Sequence, residues 1–257
     1  MWTFATKSLY FLLQSAIMNP KKKDGDPVIQ KRIPQEWLKV IACVSMLIDH
    51  AAYVFGWALK WRAVGRLAFP IFCFLLAEGA FYTRNPKKYA LRLAITAVIS
   101  EFAFDFAFYG RMDWGHQNVM LTMLLGILAL EAMKCCSNWP RKILTAIPFA
   151  VIADLLSTDY SGYGVMLIAL FGIARDLPYK WAVLAGGMAV LFWLMPSVTK
   201  TISGISVPVQ LFGLVSLVPI ALYSGEKLTR SKAAQWAFYL FYPVHMVLLR
   251  FLWFLIR

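Results

Sequence analysis

Apolar residues run along this chain in nine blocks separated by short polar joints. The blocks fall at about Leu38–Leu59, Val64–Phe81, Tyr89–Phe108, Asn118–Cys136, Ile143–Leu156, Gly164–Ala174, Trp181–Ser197, Val207–Tyr223 and Ala233–Ile256. Continuous apolar runs approaching 20 residues, without period-two alternation, predict transmembrane helices rather than strands. The expected fold is therefore all-α: a polytopic transmembrane helix bundle of about nine spans. The fifth and sixth blocks are short, which suits a broken or re-entrant helix. Before the first block, Met1–Met18 carries Lys7 and Gln14 between apolar patches and predicts an N-terminal interfacial amphipathic helix. A cleaved signal peptide does not fit, because the basic cluster Lys21, Lys22 and Lys23 follows the apolar run instead of preceding it. Two regions result: residues 1–33, an amphipathic helix and basic linker, and residues 34–257, the transmembrane domain.

Composition agrees with this division. Of 257 residues, 60% are hydrophobic and 15% charged, with a mean hydropathy of +0.63, values that do not fit a soluble surface. The 26 Lys and Arg against 13 Asp and Glu give +13. In a soluble protein that charge would suggest nucleic acid; here its distribution points to a bilayer instead. Joints on the side of the N-terminal linker hold 17 cations and the alternate joints six, so the linker is expected to be cytoplasmic. The four cysteines lie in or beside apolar blocks without C-x-x-C spacing and read as reduced filler.

The informative residues are the ionisable ones at membrane depth, because each needs a partner, a wet cavity or a task. Asp49, Glu78, Glu101, Asp105 and Asp154 are five of the 13 acids, and His50 and His245 are two of the three histidines. Lys39 and His50 are eleven residues apart, so on a helix they share a face with an axial separation of about 16 Å. A cation at one end and an imidazole deeper on the same stripe suit a long ligand with an anionic head and a reactive tail. Tyr53, at i+3 from His50 and i+4 from Asp49, is placed to meet either. Arg66 opens the second block and could clamp an anion, with Pro70 kinking the helix beside it. Glu101 and Asp105 lie at i,i+4 and must share a proton or meet a cation. Asn118 begins the fourth block, Tyr163-Gly164 stands in a Gly/Tyr-rich turn, and His245 follows Pro243 as a possible second wall of a site. No clustered histidine set marks a metal site.

Taken in order, LKVIACVSMLIDH, GRLAFPIFCFLLAEGAFYTRN, ISEFAFDFAF, QNVMLTMLLG, YGVMLIAL and FYPVHMVLL resemble the TraX family of bacterial polytopic membrane proteins, from about Leu38 to Leu249. The first segments are also similar to the acyltransferase-3 superfamily and its R-x10-H pattern, here Lys39-x10-His50. Lys stands where Arg is usual, which removes bidentate phosphate recognition at that position. The resemblance implies an acyl-CoA-dependent O- or N-acyltransferase of the bacterial inner membrane. The implied enzyme would take acetyl-CoA as donor and an envelope acceptor, whether pilin, glycan or another. His50 would be the base. Asp49, Arg66, Asn118, Tyr163 and His245 would complete the catalytic set, and Lys39, Arg84, Lys88 and Arg92 would bind coenzyme A phosphates. The rival readings are a secondary transporter using Glu101, Asp105 and Asp154, and a non-catalytic assembly subunit.

Overall fold

The computed structural model describes residues 33–202, 205–229 and 231–256. The helix expected over Met1–Met18 lies outside them. The elements are α1 Gln35–Val54, α2 Leu59–Gly65, α3 Ala68–Tyr82, α4 Pro86–Phe108, α5 Val119–Met133, α6 Trp139–Leu155, α7 Ser161–Ala174 and α8 Lys180–Leu194. A small hairpin follows, β1 Thr199–Ile202 against β2 Ile205–Pro208, antiparallel with Thr199 opposite Pro208. A 3-10 helix, Val209–Ser216, then leads into α9, Leu217–Ala221, and α10, Lys232–Ile256, completes the chain. The architecture is all-α apart from that hairpin, and each of the nine apolar blocks becomes helical.

Local sequence explains where several helices begin. Asn85, Asn118 and Asn138 each accept a backbone N–H of the following turn, from Lys88, Met120 and Arg141 respectively. Two of these caps are followed by proline in the first turn, where its missing N–H costs nothing.

Contacts between helix ends fix the directions. Lys39 lies over Phe238 and His50 meets His245, so α1 and α10 run parallel. Phe69 stacks on Tyr160 at the start of α3 and α7, and Glu78 pairs with Arg175 at their ends, so these two are also parallel. A Cβ on Gly126 would stand 2.3 Å from Ile168, and one on Gly172 would stand 2.4 Å from Leu130. Thus α5 and α7 run the same way and approach closely through one glycine on each. Asn118 at the start of α5 reaches Ala97 and Glu101 well along α4, which makes that pair antiparallel. First, third and ninth blocks point one way; second, fourth and sixth point the other. That is the alternation a multi-pass membrane chain requires.

Among the described residues three helical stretches, Gln35–Val54, Leu59–Tyr82 and Ala233–Ile256, are long and apolar enough to cross a membrane. At 1.5 Å per residue the 15-residue α5 is only about 22 Å long against a hydrocarbon core near 30 Å. It can be short because it is enclosed by protein: Ile127 and Ala129 in α5, like Val165 and Ile168 in α7, are fully buried. α10 shows the opposite pattern. Tyr242, His245, Met246 and Leu249 are buried, while Val244, Leu248, Phe251 and Leu255 are each more than half exposed. An apolar stripe of that extent suits contact with lipid. The chain is a membrane protein.

Candidate functional site

The site is built where the C-terminal half of α1 meets α2, α10, the start of the 3-10 helix and the loop before α7. Two adjacent residues of α1 point into it in different directions. Asp49 faces α2 and α3, where Arg66 Nη2 binds its Oδ2 and Arg62 Nε donates to Oδ1 at 3.4 Å. Arg66 also donates through Nη1 to Gln210 Oε1 at 3.2 Å and through Nε to the Arg62 carbonyl at 3.3 Å. All three nitrogens of the Arg66 guanidinium are therefore engaged inside the protein. The close approach depends on Gly65, at which a Cβ would lie 2.1 Å from the Asp49 Cβ.

His50, half-buried, faces α10. Its ring stacks on His245 with centroids 5.0 Å apart, edge-on to Phe108 and Tyr242. The His50 Nδ1 to His245 Nε2 distance is 2.7 Å, and His245 Nδ1 is 2.7 Å from the Phe241 carbonyl oxygen. A carbonyl only accepts, so His245 Nδ1 carries the hydrogen. In the neutral ring Nε2 then accepts, His50 Nδ1 donates to it, and His50 Nε2 is left with its lone pair. Tautomers are thus assigned from the hydrogen-bond network. Tyr53 meets neither Asp49 nor His50 through the contacts it makes here: its ring lies edge-on to Phe108 and under the Arg62 guanidinium.

Next to Arg66, the loop from Ser157 to Ser161 holds three non-glycine residues at positive φ: Ser157, Tyr160 and Ser161. Such backbone persists only where surrounding contacts determine it. They do so here. Gln117 N–H donates to the Ser157 carbonyl, Asp159 N–H to the Gln117 carbonyl, and the fully buried Thr122 hydroxyl binds the Asp159 carbonyl. The loop brings Tyr160 against Phe69 and places Asp159 in the electrostatic field of Arg66. Burial pushes the Asp159 carboxyl above its ordinary range, and His116 and Arg66 pull it back.

The remaining sequence-selected residues have different surroundings. Asn118 is fully buried and saturated: its Nδ2 donates to Glu101 Oε2 and to the Ala97 carbonyl, and its Oδ1 caps α5. Glu101 and Asp105 do not share a cation. Glu101 Oε2 takes two donors from Asn118 and Asp105 Oδ2 takes the Asp113 N–H at 2.8 Å. Asp154 accepts from Gly162 N–H at 2.8 Å at the start of α7. Tyr163 is half-buried in the first turn of α7, and it is Tyr160 that stands beside Arg66.

Lys39 and Arg92 meet adjacent residues of α10, Lys39 over the Phe238 ring at 4.9 Å and Arg92 bonded to Tyr239, while Arg84 and Lys88 are exposed nearby in sequence. On the stripe between Lys39 and His50, Cys43 and Met46 are buried. The stripe is a packed contact with α10. Sequence reasoning missed Gln210, Arg62, Tyr160 and Asp159. The signal for Gln210 was present, a lone amide in the run VPVQLFGLV.

The family described as TraX protein matches residues 34–253. The chain is 34% identical over 238 residues to the probable fimbrial assembly protein FimC, serogroup H1, of Dichelobacter nodosus, covering 82% of this chain and 92% of that one. It is 26% identical over 145 residues to uncharacterized protein RP591 of Rickettsia prowazekii (strain Madrid E), covering 53% of this chain and 52% of that one. No solved structure matches. With the family pattern extending over residues 34–253, nearly the whole helical domain, the chain belongs to the TraX family.

Proposed function

We propose that this protein is a membrane-integral acyltransferase that moves an acyl group, acetyl in the simplest case, from acyl-CoA to an amine or hydroxyl of an envelope acceptor. The observation that carries the reading is the histidine pair. His245, held by the Phe241 carbonyl, fixes the His50 tautomer and leaves Nε2 as a base. In the reaction, His50 Nε2 takes the proton of the acceptor N–H or O–H while that atom attacks the thioester carbonyl carbon. Collapse of the tetrahedral intermediate breaks the carbon–sulfur bond, and the leaving thiolate recovers the proton from His50. Asp49 and Arg66 position α1 against α2 and α3. Arg62, with side-chain exposure of 29% and Nη1 and Nη2 making no hydrogen bond among the described residues, is a cation near His50 able to meet an acceptor or developing oxyanion.

The 17-to-six charge bias supports placing the Lys39 end in the cytoplasm and His50 toward the outer face of an inner membrane. Lys39, Arg92, Arg84 and Lys88 then meet the phosphates of the donor. Because Cys43 and Met46 fill the stripe between them and His50, the donor's arm needs these helices to separate, or must enter along another face. The likeness to a probable fimbrial assembly protein of Dichelobacter nodosus supports a surface-fibre subunit as acceptor. The acyltransferase reading is preferred to a transporter because one oxygen of each carboxylate a transporter would use is tied to the scaffold, by Asn118, Asp113 and Gly162.

Purified protein in nanodiscs with acetyl-CoA and an amine acceptor should release free thiol and acetylated acceptor. Equal release by His50→Ala would overturn the assignment of the base. Gradient-driven solute uptake without acyl-CoA would overturn the enzyme reading.

A further inference from the structure

At the Lys39 end, the strand of chain entering α1 is zipped to the loop entering α10. Ile33 N–H donates to the Leu222 carbonyl at 3.1 Å, Ser224 N–H to the Ile33 carbonyl at 2.9 Å, and Gln35 N–H to the Glu226 carbonyl at 2.9 Å. The zip ends on a carboxylate. Glu36 Oε2 accepts from Leu228 N–H at 2.8 Å and Oε1 from Thr229 N–H at 3.4 Å. Lys39 lies in the field of both Glu36 and Lys227. Two successive backbone N–H groups directed at one anion, with the Lys39 ammonium in its field and Lys227 preceding Leu228 in the chain, resemble the donor set that takes phosphoryl oxygens elsewhere in proteins. A carboxylate already presents its two oxygens to these donors.

We infer that the Leu228–Thr229 nest with Lys39 and Lys227 is a phosphoryl-binding site, and that Glu36 is its built-in, displaceable occupant. A phosphoryl group offers more charge and one more acceptor oxygen than a carboxylate, so it displaces Glu36 and gains both lysines. Displacement frees the Leu228–Thr229 loop from α1 at the place where α1 and α10 begin, next to the packed stripe that leads to His50. The inference rests on the acyl-CoA reading only for its physiological ligand, the phosphates of the donor. The anion site itself stands without it.

Inorganic pyrophosphate is the probe, titrated calorimetrically into the full chain in phosphatidylcholine nanodiscs. Glu36→Gln keeps an oxygen for Leu228 N–H and removes the competing charge, so affinity is expected to rise about tenfold, while Lys227→Gln lowers it about tenfold. Unchanged or weaker binding by Glu36→Gln, at an unchanged melting midpoint, overturns the displacement. If Glu36→Gln fails to fold, Lys227→Gln decides: undiminished binding overturns the site. In nanodiscs containing phosphatidylglycerol, loss of pyrophosphate binding identifies a lipid phosphate as the occupant, and retained binding identifies a soluble one. Tightened pyrophosphate binding without any acyl transfer leaves the site standing and removes the enzyme reading. Acyl transfer with no effect of Glu36→Gln does the reverse.

Discussion

Two regions of the bundle hold ionisable residues within apolar helices, and they use them in opposite ways. Along α4 and at the start of α7, each carboxylate is tied to backbone amides: Glu101 to Asn118, Asp105 to Asp113 and Asp154 to Gly162. These groups end helices and hold turns. At the α1–α10 contact the chain of donors and acceptors runs from the Phe241 carbonyl through His245 to His50 and stops at a nitrogen with its lone pair unspent. The difference teaches that a charged residue in a span marks a site only after its hydrogen bonds have been accounted for. Glu101 Oε1 and Asp105 Oδ1 have no partner among the described residues, but the other oxygen of each is committed to a helix start or a turn, and a residue so committed is architecture. Where the free atom is the last link of an ordered chain of donors and acceptors, chemistry becomes available.

The largest expected effect falls on that unspent valence. His50→Ala should reduce acyl transfer by about 10²- to 10⁴-fold, the usual contribution of a positioned general base, with little change in thermal midpoint. Thiol release and unfolding measured on the same preparation check it. A matching loss of stability would erase the contrast between the two regions.

Arg66→Gln acts on the buried ion pair of the site. Asp49 is left buried with only the 3.4 Å contact from Arg62, and stripping one partner from a buried ion pair costs about 3–5 kcal/mol. Denaturant unfolding should show it, and Asp49→Asn in the same background should restore part of the loss. Gly65→Ala acts on the same pair without touching its charges. Its Cβ would meet the Asp49 Cβ itself, which cannot swing away, so α2 must shift at a cost of about 1–3 kcal/mol.

Much of this arrangement was legible in the chain. Nine apolar blocks are visible as runs, and the Lys39–His50 stripe follows from the helical repeat. Both of its ends contact one helix, α10, with the buried Cys43 and Met46 between them where a long ligand was expected. What could not be read was the partner list, which comes from tertiary packing. Arg66 invites assignment as a free anion clamp until Gln210 arrives from 144 residues away and Asp49 from the preceding helix. The eighth block is equally apolar as a 3-10 helix or as an α-helix, so its hydropathy does not distinguish them, nor does it show that Gln210, at the start of that helix, meets Arg66. The strained turn at Ser157–Ser161 also lacks a sequence signature, because glycine would be expected at positive φ and neither Ser157, Tyr160 nor Ser161 is glycine.

The smallest expected effect tests the architectural side. Asp154 is exposed, and its task is to accept the Gly162 N–H at the positive end of α7. Asparagine keeps an oxygen at the same reach and loses only the attraction of a full charge for the helix terminus, a difference of about 0.3–1 kcal/mol. Asp154→Asn should therefore lower the thermal midpoint slightly and leave thiol release unaltered. A residue that carried protons or solute would behave in the opposite way, since the amide cannot titrate: stability would hold and turnover would collapse. If that is observed, the carboxylates of α4 and α6 belong with the histidine pair as working groups, and a hydrogen bond from the scaffold is not the property that separates the two regions.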